Sequence, residues 1–220
     1  MIEKSKSAGA SLAGIASVAS LQKSPSYEIY GKSEWPRDPK SVIVLALIHD
    51  EAEPDLDWWD GKRGTPGNRR IESIANNLRQ WLKEDLSSDA YLLPYDVEKG
   101  GIFLKDAAVL AGLGAIGMNN LIITPEFGPR VRLRALLLDV DLAPTGPIDF
   151  APCAGCDMPC KWACPQEAFK SGSYSRTLCN EQMKRDEANT VIVEEGQEKD
   201  VPSRYIKYCR ACELACPIRG

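Results

Sequence analysis

Four cysteines stand close together in the stretch Cys153-Ala-Gly-Cys-Asp-Met-Pro-Cys-Lys-Trp-Ala-Cys-Pro165. A second group follows in Cys209-x2-Cys212-x3-Cys216-Pro217, and Cys179 stands alone between the two groups. All eight cysteines of the 220-residue chain come after residue 152. An intracellular chain that collects its thiols in one region typically uses them to bind metal.

The spacing within these groups is typical of [4Fe-4S] ligands. Both groups end in Cys-Pro, and in two-cluster ferredoxins the cysteine before the proline ligates the other cluster. Two cubes need eight thiolates, which is the number present. The expected ligand sets are Cys153, Cys156, Cys160 and Cys216 for one cluster, and Cys164, Cys179, Cys209 and Cys212 for the other.

Zinc is the main alternative, because four-cysteine zinc sites also use Cys-x2-Cys hairpins. Zinc modules usually separate two such hairpins by a longer stretch, so the compact first group favours iron and sulfur. That group departs from the usual cluster spacing by one extra residue between Cys156 and Cys160. Structural disulfides are not expected, since the chain is long and shows no signal-peptide pattern.

The composition excludes several function classes. Apolar residues make up 44% of the chain, enough for a sizeable core. The net charge is −4 and aromatics are 7%, so nucleic acid is not expected as a partner. No apolar run reaches the roughly 18 residues of a membrane span. We therefore expect a cytoplasmic protein.

Helical and strand patterns alternate over the first 145 or so residues, which predicts an α/β (α+β) domain. The segment Ser41–Ile48 is a continuous β-rich run and predicts a central strand covered on both faces. The linker-like residues Pro144, Gly146 and Pro147 then divide the chain into domains at 1–148 and 149–220. The other predicted elements are helices at 5–21, from a cap at Asn68 to Leu86, at 104–113 and at 178–187, strands at 90–93, 121–124 and 131–140, and loops at 51–68 and 194–200.

A second signature lies in Gly112-Leu-Gly-Ala-Ile-Gly-Met-Asn-Asn-Leu-Ile-Ile-Thr-Pro-Glu-Phe-Gly-Pro-Arg-Val-Arg-Leu133, followed by 136–142. This wording resembles the segment shared by corrinoid-dependent reductive dehalogenases and epoxyqueuosine reductases, and the resemblance covers most of the chain from residue 12. It implies a nitroreductase-like domain that holds a base-off cobalamin, followed by a ferredoxin-like double [4Fe-4S] domain. The protein positions and tunes such cofactors, which carry the chemistry.

The resemblance also implies a set of cofactor-binding residues, in which glycines let the backbone approach a large planar ligand. They are Gly112, Gly114, Gly117, Asn119, Asn120, Thr124, Phe127, Gly128 and Arg130. The same glycines suit ordinary turns and helix caps, and the polar residues suit local backbone contacts. Tyr95 or Asp96 is the implied proton donor, with a solvated turn as the alternative.

The favoured function is an oxidoreductase that passes electrons from two clusters to a corrinoid, with a flavin less favoured. One alternative is an electron-transfer protein that reduces a partner's corrinoid or metal centre without holding an organic cofactor. Another is a cluster-bearing module of a larger complex. The expected partners are an electron donor such as ferredoxin or flavodoxin and, in the first alternative, a corrinoid protein.

Three side chains near the end of the central strand have open roles at this point. His49, the sole histidine, equally suits a strand-end structural role and a catalytic one. Trp58 and Trp59 predict a lid, a docking surface or a mobile surface loop.

Overall fold

A four-stranded antiparallel sheet forms the centre of the computed structural model, which describes residues 1–30, 35, 38–60, 64–96, 103–192 and 204–218. Its strands are β1 (Leu12–Ser17), β2 (Ser41–Ile48), β3 (Ala90–Leu92) and β6 (Val131–Leu138), in the order β1-β2-β6-β3. Two small hairpins pair β4 (Ala115–Ile116) with β5 (Ile122–Ile123) and β7 (Val191–Ile192) with β8 (Arg204–Tyr205). The helices are α1 (Ile2–Ser7), α2 (Val18–Leu21), α3 (Pro25–Tyr30), α4 (Pro66–Leu86), α5 (Leu104–Leu110), α6 (Pro159–Ala163), α7 (Arg176–Ala188) and α8 (Ala211–Leu214), with a 3-10 turn at Pro54–Asp57.

Strand β2 is central and covered on both faces, as its sequence predicts. Successive side chains of a strand point to opposite faces. Val42 and Val44 therefore pack in the core that includes α5, whereas Ile43 and Leu45 pack against α4. Because both faces are buried, the strand reads as an unbroken apolar run rather than an alternating one.

The prediction of a helix over 5–21 is wrong. Only its ends are helical, in α1 and α2, and its middle forms β1, which pairs antiparallel with Ser41–Ala46 of β2. Gly14 explains part of the difference, because a Cβ there would overlap the carbonyl of Ala111 after α5. The stretch is rich in alanine and serine, and the helix propensity of its alanines yields to the backbone hydrogen bonds offered by β2.

Helix α4 lies where the apolar spacing predicts it, but its cap is Thr65 and not Asn68. The Thr65 hydroxyl accepts the N–H of Asn68 at 3.0 Å, and Pro66 occupies the first helical turn. Thr-Pro suits a helix start because the hydroxyl caps an orphan N–H and proline needs no such partner.

The predicted elements at 90–93, 104–113, 121–124, 131–140 and 178–187 are present as β3, α5, β5, β6 and α7, mostly with shorter bounds. Helix α5 ends at Leu110, and Gly112 then takes a left-handed φ of +76°. The predicted loop at 51–68 contains the 3-10 turn and the start of α4. The predicted loop at 194–200 lies outside the described residues.

The chain between β6 and α6 contains no helix or strand, although every residue there is described. Beyond it come the short elements that carry the cysteines. The domain division at 148/149 falls within this irregular segment and stays a prediction. No described helix is both long and apolar enough to cross a membrane.

Candidate metal centre

Helices α6, α7 and α8 and the turns beside them carry the eight cysteines, with Cys179 in the first half of α7. In the first group, Cys160 lies on α6 and Cys164 ends that helix, while Cys153 and Cys156 precede it. In the second, α8 carries Cys212 and is packed against α6. All eight thiols are free; Cys160 and Cys216 are buried, Cys209 is exposed and the others are half-buried.

The thiols fall into two sets of mutual neighbours. Burial raises the pKa of Cys160, and negative charge on Cys153, Cys216 and Cys156 raises it further. Burial raises the pKa of Cys212 to about 12, with further contributions from Cys209, Cys179 and Cys164. Cys160 and Cys212 are therefore each influenced by three other cysteines, and the assignment of these groups as cluster ligands stays a prediction.

Backbone N–H groups point at several of the sulfurs. Met118 donates to Cys153 Sγ at 3.4 Å, Met158 donates to Cys156 Sγ at 3.4 Å, and Ala168 donates to Cys164 Sγ at 3.3 Å. Such bonds favour the charged thiolate and are among the features that tune cluster potentials. The raised pKa values of Cys160 and Cys212 mean that metal binding there displaces protons.

Among the described residues, no three Cys, His or acidic side chains gather tightly enough to surround a single metal ion. This finding concerns one-ion sites. In a cube each thiolate binds a different iron atom, so its four sulfurs stand further apart than those around one ion.

Three residues of the predicted cofactor-binding set contact the second cysteine segment instead. Asn119 Nδ2 donates to the carbonyl of Cys212 at 3.4 Å. Arg130 donates to the carbonyls of Ile218 at 3.2 Å and Cys216 at 3.5 Å. A Cβ on Gly128 would overlap the Ile218 carbonyl. Residues 119–130 therefore meet the segment that contains Cys212 and Cys216.

The remaining members of that set contact neighbouring protein groups. Thr124 Oγ1 donates to the Gly128 carbonyl at 3.2 Å and accepts the Phe127 N–H at 3.0 Å. Asn120, in a left-handed conformation, accepts from Lys105 Nζ through its carbonyl and side chain. Added Cβ atoms on Gly114 and Gly117 would overlap Ile123, and one on Gly112 would press on the backbone at 145–146.

The two candidate proton donors lie just after β3. The Arg134 guanidinium stands 4.6 Å from the centre of the Tyr95 ring, and Tyr95 is 50% exposed. Burial lowers the pKa of Arg134, while Tyr95 and Glu72 favour its charged form. Asp96 is exposed at the protein surface.

A buried ionic cluster, which the sequence analysis missed, joins the sheet to α8. It consists of His49, Asp57, Arg132, Arg210 and Glu213. Asp57 pairs with both Arg132 and Arg210, and Arg210 also binds Glu213 at 2.6 Å. His49 Nδ1 lies 2.9 Å from Glu213 Oε1. The sequence does contain a pattern that could have indicated this cluster. Arg130, Arg132 and Arg134 alternate with apolar residues, and this period-two spacing places three buried cations on one face.

The pKa values follow from this burial. Burial lowers the pKa of His49, partly opposed by its hydrogen bond to Glu213. Burial raises the pKa of Glu213, but hydrogen bonds from His49 and Arg210 outweigh it and the net shift is downward. Burial and the neighbouring Arg210 lower the pKa of Arg132 to about 10. The imidazole is therefore held neutral, with its Nδ1–H donated to the Glu213 carboxylate.

The tryptophan loop packs against the same segment. Trp58 stacks on Tyr205 with ring centres 4.4 Å apart. The ammonium group of Lys207 lies 4.4 Å from the centre of the Trp58 ring. Trp59 exchanges backbone hydrogen bonds with Ile206 at 2.9 and 2.8 Å. The loop therefore packs against residues 205–207, which immediately precede the second cysteine group.

Comparison with known proteins places this geometry in context. No profile of a known protein family matches the chain. The epoxyqueuosine reductase of Bacillus cereus is 34% identical over 191 residues, which are 81% of this chain and 48% of that enzyme. A tetrachloroethene reductive dehalogenase of Desulfitobacterium hafniense is 27% identical over 171 residues, or 69% of this chain and 29% of the dehalogenase. The chain is a homologue of both kinds of reductase.

A solved structure extends the likeness to the fold. The crystal structure of an epoxyqueuosine reductase with a tRNA stem loop matches with a TM-score of 0.59 at 19% identity, over 98% of this chain and 63% of that one. The mixed α/β fold with its antiparallel sheet is therefore that of the epoxyqueuosine reductases. This reductase homologue spans about half, or less, of the curated relatives that it matches.

An apolar ledge borders the first set of thiols in this reductase homologue. Ile116 and Met118 are 41% and 46% exposed, and the Met118 N–H is the donor to Cys153. A cleft of about 40 Å³ lies between Met118, Cys160 and Phe169. Asn119, Asn120 and Arg130, polar members of the predicted cofactor-binding set, are by contrast already engaged by protein groups.

Proposed function

We propose that the chain is an iron-sulfur oxidoreductase in which two [4Fe-4S] clusters pass electrons to a cobalamin. Both homologous families are reductases, which supports a redox role. The observation that most directly supports the clusters is the grouping of eight free thiols into two sets of four neighbours. In this proposal a nitroreductase-like domain at 1–148 precedes a ferredoxin-like domain at 149–220.

In this proposal, the solvent exposure of the cysteine ligands indicates where electrons enter the protein. Cys209 is the exposed ligand of the second set, so a donor such as ferredoxin or flavodoxin delivers electrons there. Met118, one of the two ledge residues, donates its N–H to Cys153, so in this proposal the cluster of the first set is the one that reduces the cofactor. Cobalamin, when bound, supplies a low-potential cobalt centre for reductive chemistry. Tyr95, beneath the Arg134 cation, is the proposed proton donor, with Asp96 as the second choice.

The ligand sets are tested by serine variants of the full chain, reconstituted under argon with iron and sulfide. Cys153→Ser and Cys216→Ser should lose the same cluster signal in electron paramagnetic resonance, because both change the first set. Cys179→Ser should lose the other signal. Negligible iron in the wild-type chain, or stoichiometric zinc in its place, would overturn the proposal.

Cobalamin binding is tested by anaerobic gel filtration with hydroxocobalamin. Corrin absorbance should travel with the protein and should be reduced by Ile116→Asp, which places a charge on the ledge. Ile29→Asp is the matched control, since Ile29 is an exposed isoleucine on α3. Corrin found entirely in the small-molecule fraction for the wild-type chain would contradict the cofactor assignment.

The second candidate is an electron-transfer protein without an organic cofactor. It is favoured by the polar contacts at 119–130, where Asn119, Asn120 and Arg130 bind protein groups. Clusters without bound corrin, together with reduction of an added corrinoid protein, would select it. Neither candidate includes a nucleic acid partner; retarded migration of a tRNA stem loop by the chain would contradict that expectation.

A further inference from the structure

Arg130 contacts the chain on both sides of Pro217. It immediately precedes β6, and its side chain is only 6% exposed. Its guanidinium donates to the Ile218 carbonyl at 3.2 Å and the Cys216 carbonyl at 3.5 Å, and pairs with Glu51 at 3.2 Å. A single buried cation therefore holds the backbone on which the last cysteine is placed.

The turn before Arg130 is shaped for the same segment. Gly128 has a left-handed φ of +56°, and the Ile218 carbonyl occupies the space that a Cβ would need. Thr124 and Gly128 fix the turn by exchanging backbone hydrogen bonds at 2.8 and 2.9 Å. The backbone at 216–218 therefore packs against a turn that its own hydrogen bonds hold in place, in addition to its contact with the Arg130 side chain.

The charge of Arg130 is only partly neutralised. Its acidic partner Glu51 is 62% exposed, so water screens that carboxylate, whereas the guanidinium is buried. A cluster becomes more negative when it is reduced. A nearby buried cation therefore favours the reduced form, in the same way that it favours any charged form beside it.

We propose that Arg130 is a positioning residue that holds Cys216 and raises the reduction potential of the cluster on Cys153, Cys156, Cys160 and Cys216. The inference rests on the proposed two-cluster function. The second cluster, whose expected ligands are Cys164, Cys179, Cys209 and Cys212, keeps its potential when Arg130 changes.

The test uses full chains reconstituted under argon, with iron content and redox titration followed by electron paramagnetic resonance. In Arg130→Gln one of the two signals should become at least tenfold harder to reduce, which is about 59 mV for one electron. Arg130→Lys keeps the charge and should restore most of that shift. Arg79→Gln removes an exposed arginine on α4 and should leave both signals unchanged.

Gly128→Ala tests the same contact without removing the charge. It should lower iron content by loss of the signal that Arg130→Gln shifts, because the new Cβ displaces the Ile218 carbonyl. Unchanged signals in Arg130→Gln, equal shifts of both signals, or Gly128→Ala acting on the other signal would overturn the inference. A wild-type chain with one cluster or none would overturn the proposed function itself.

Discussion

His49 is a single residue through which pH should act on stability. Its pKa is lowered in the folded chain by burial, so the unfolded state binds more protons once the pH falls below 6.5. The stability that neutral His49 contributes is complete above pH 6.5 and is lost as the pH falls through its lowered folded pKa. We expect the thermal midpoint under argon to be lower at pH 5.5 than at pH 7.5.

The matched control is His49→Gln, whose amide can still donate to Glu213 but does not titrate. Because His49 is the sole histidine, the difference between the two chains over this pH interval reports on this residue. The lowered pKa of Glu213 acts in the same direction but below its ordinary value of 4.5. Identical pH dependence in both chains would rule out His49 as the cause.

Some residue roles could be predicted from sequence and others could not. The two cysteine sets are predicted from local spacing, and Cys160 and Cys212 each have three other cysteines as electrostatic neighbours, which leaves the ligand assignment a prediction. The partners of Asp57 are Arg132 and Arg210, which are far away in sequence. No local pattern reports such a contact, although buried charges require partners. The predicted cofactor role of Arg130 stays untested, but its present contacts are carbonyls of the second cysteine segment.

Strand β1 makes a testable prediction at the scale of one element. Gly14→Ala adds a Cβ that overlaps the Ala111 carbonyl, so β1 or the end of α5 must shift. Overpacking of this kind costs about 1–3 kcal/mol. Urea unfolding should show that loss in the free energy of unfolding.

Gly172→Ala is the control for that change, since open space surrounds its position and only its left-handed φ of +87° opposes a side chain. We expect it to cost about 1 kcal/mol. A Gly14→Ala chain no less stable than Gly172→Ala would show that β1 does not pass α5 this closely.

The start of α4 makes a second prediction at this scale. Thr65→Ala removes the acceptor of the Asn68 N–H and should cost about 1 kcal/mol, the usual value of an N-cap. Asn68→Ala should cost less, because the structure gives the cap to Thr65. Urea midpoints that rank the two variants in the opposite order would restore Asn68 as the cap.

The element-scale outcome follows from periodicity. Helix α4 and strand β2 carry strong apolar patterns, and both lie where those patterns predict them. The stretch that forms β1 has small side chains and matches either period weakly. Residues 12–17 form a strand because they pair with the otherwise free edge of β2. A local sequence pattern cannot identify such a partner.

The whole molecule should respond unevenly to loss of the proposed clusters. Two large apolar clusters are buried against the four-stranded sheet, whereas among the described residues after 150 few apolar side chains are buried, namely Cys160, Ala168, Phe169, Tyr205 and Cys216. We therefore expect the proposed cluster ligation to supply much of the stability of this part of the chain. After chelation of iron, limited proteolysis should cut within 150–218 while the sheet strands stay intact.

The comparison is the iron-loaded chain under the same protease and argon atmosphere, with cleavage sites read by mass spectrometry. It should resist cutting in the same interval. Equal cleavage before and after chelation, or first cuts within β2 or β6, would contradict this distribution of stability.

The backbone pairing of Trp59 with Ile206 bears on the order of events during protein synthesis. Residue 59 leaves the ribosome long before residue 206 exists, and domains generally begin to fold as they emerge. Asp57 and His49 must likewise wait for Arg210 and Glu213. The contacts of residues 49–59 with residues 206–213 therefore form only after translation has reached the final cysteines.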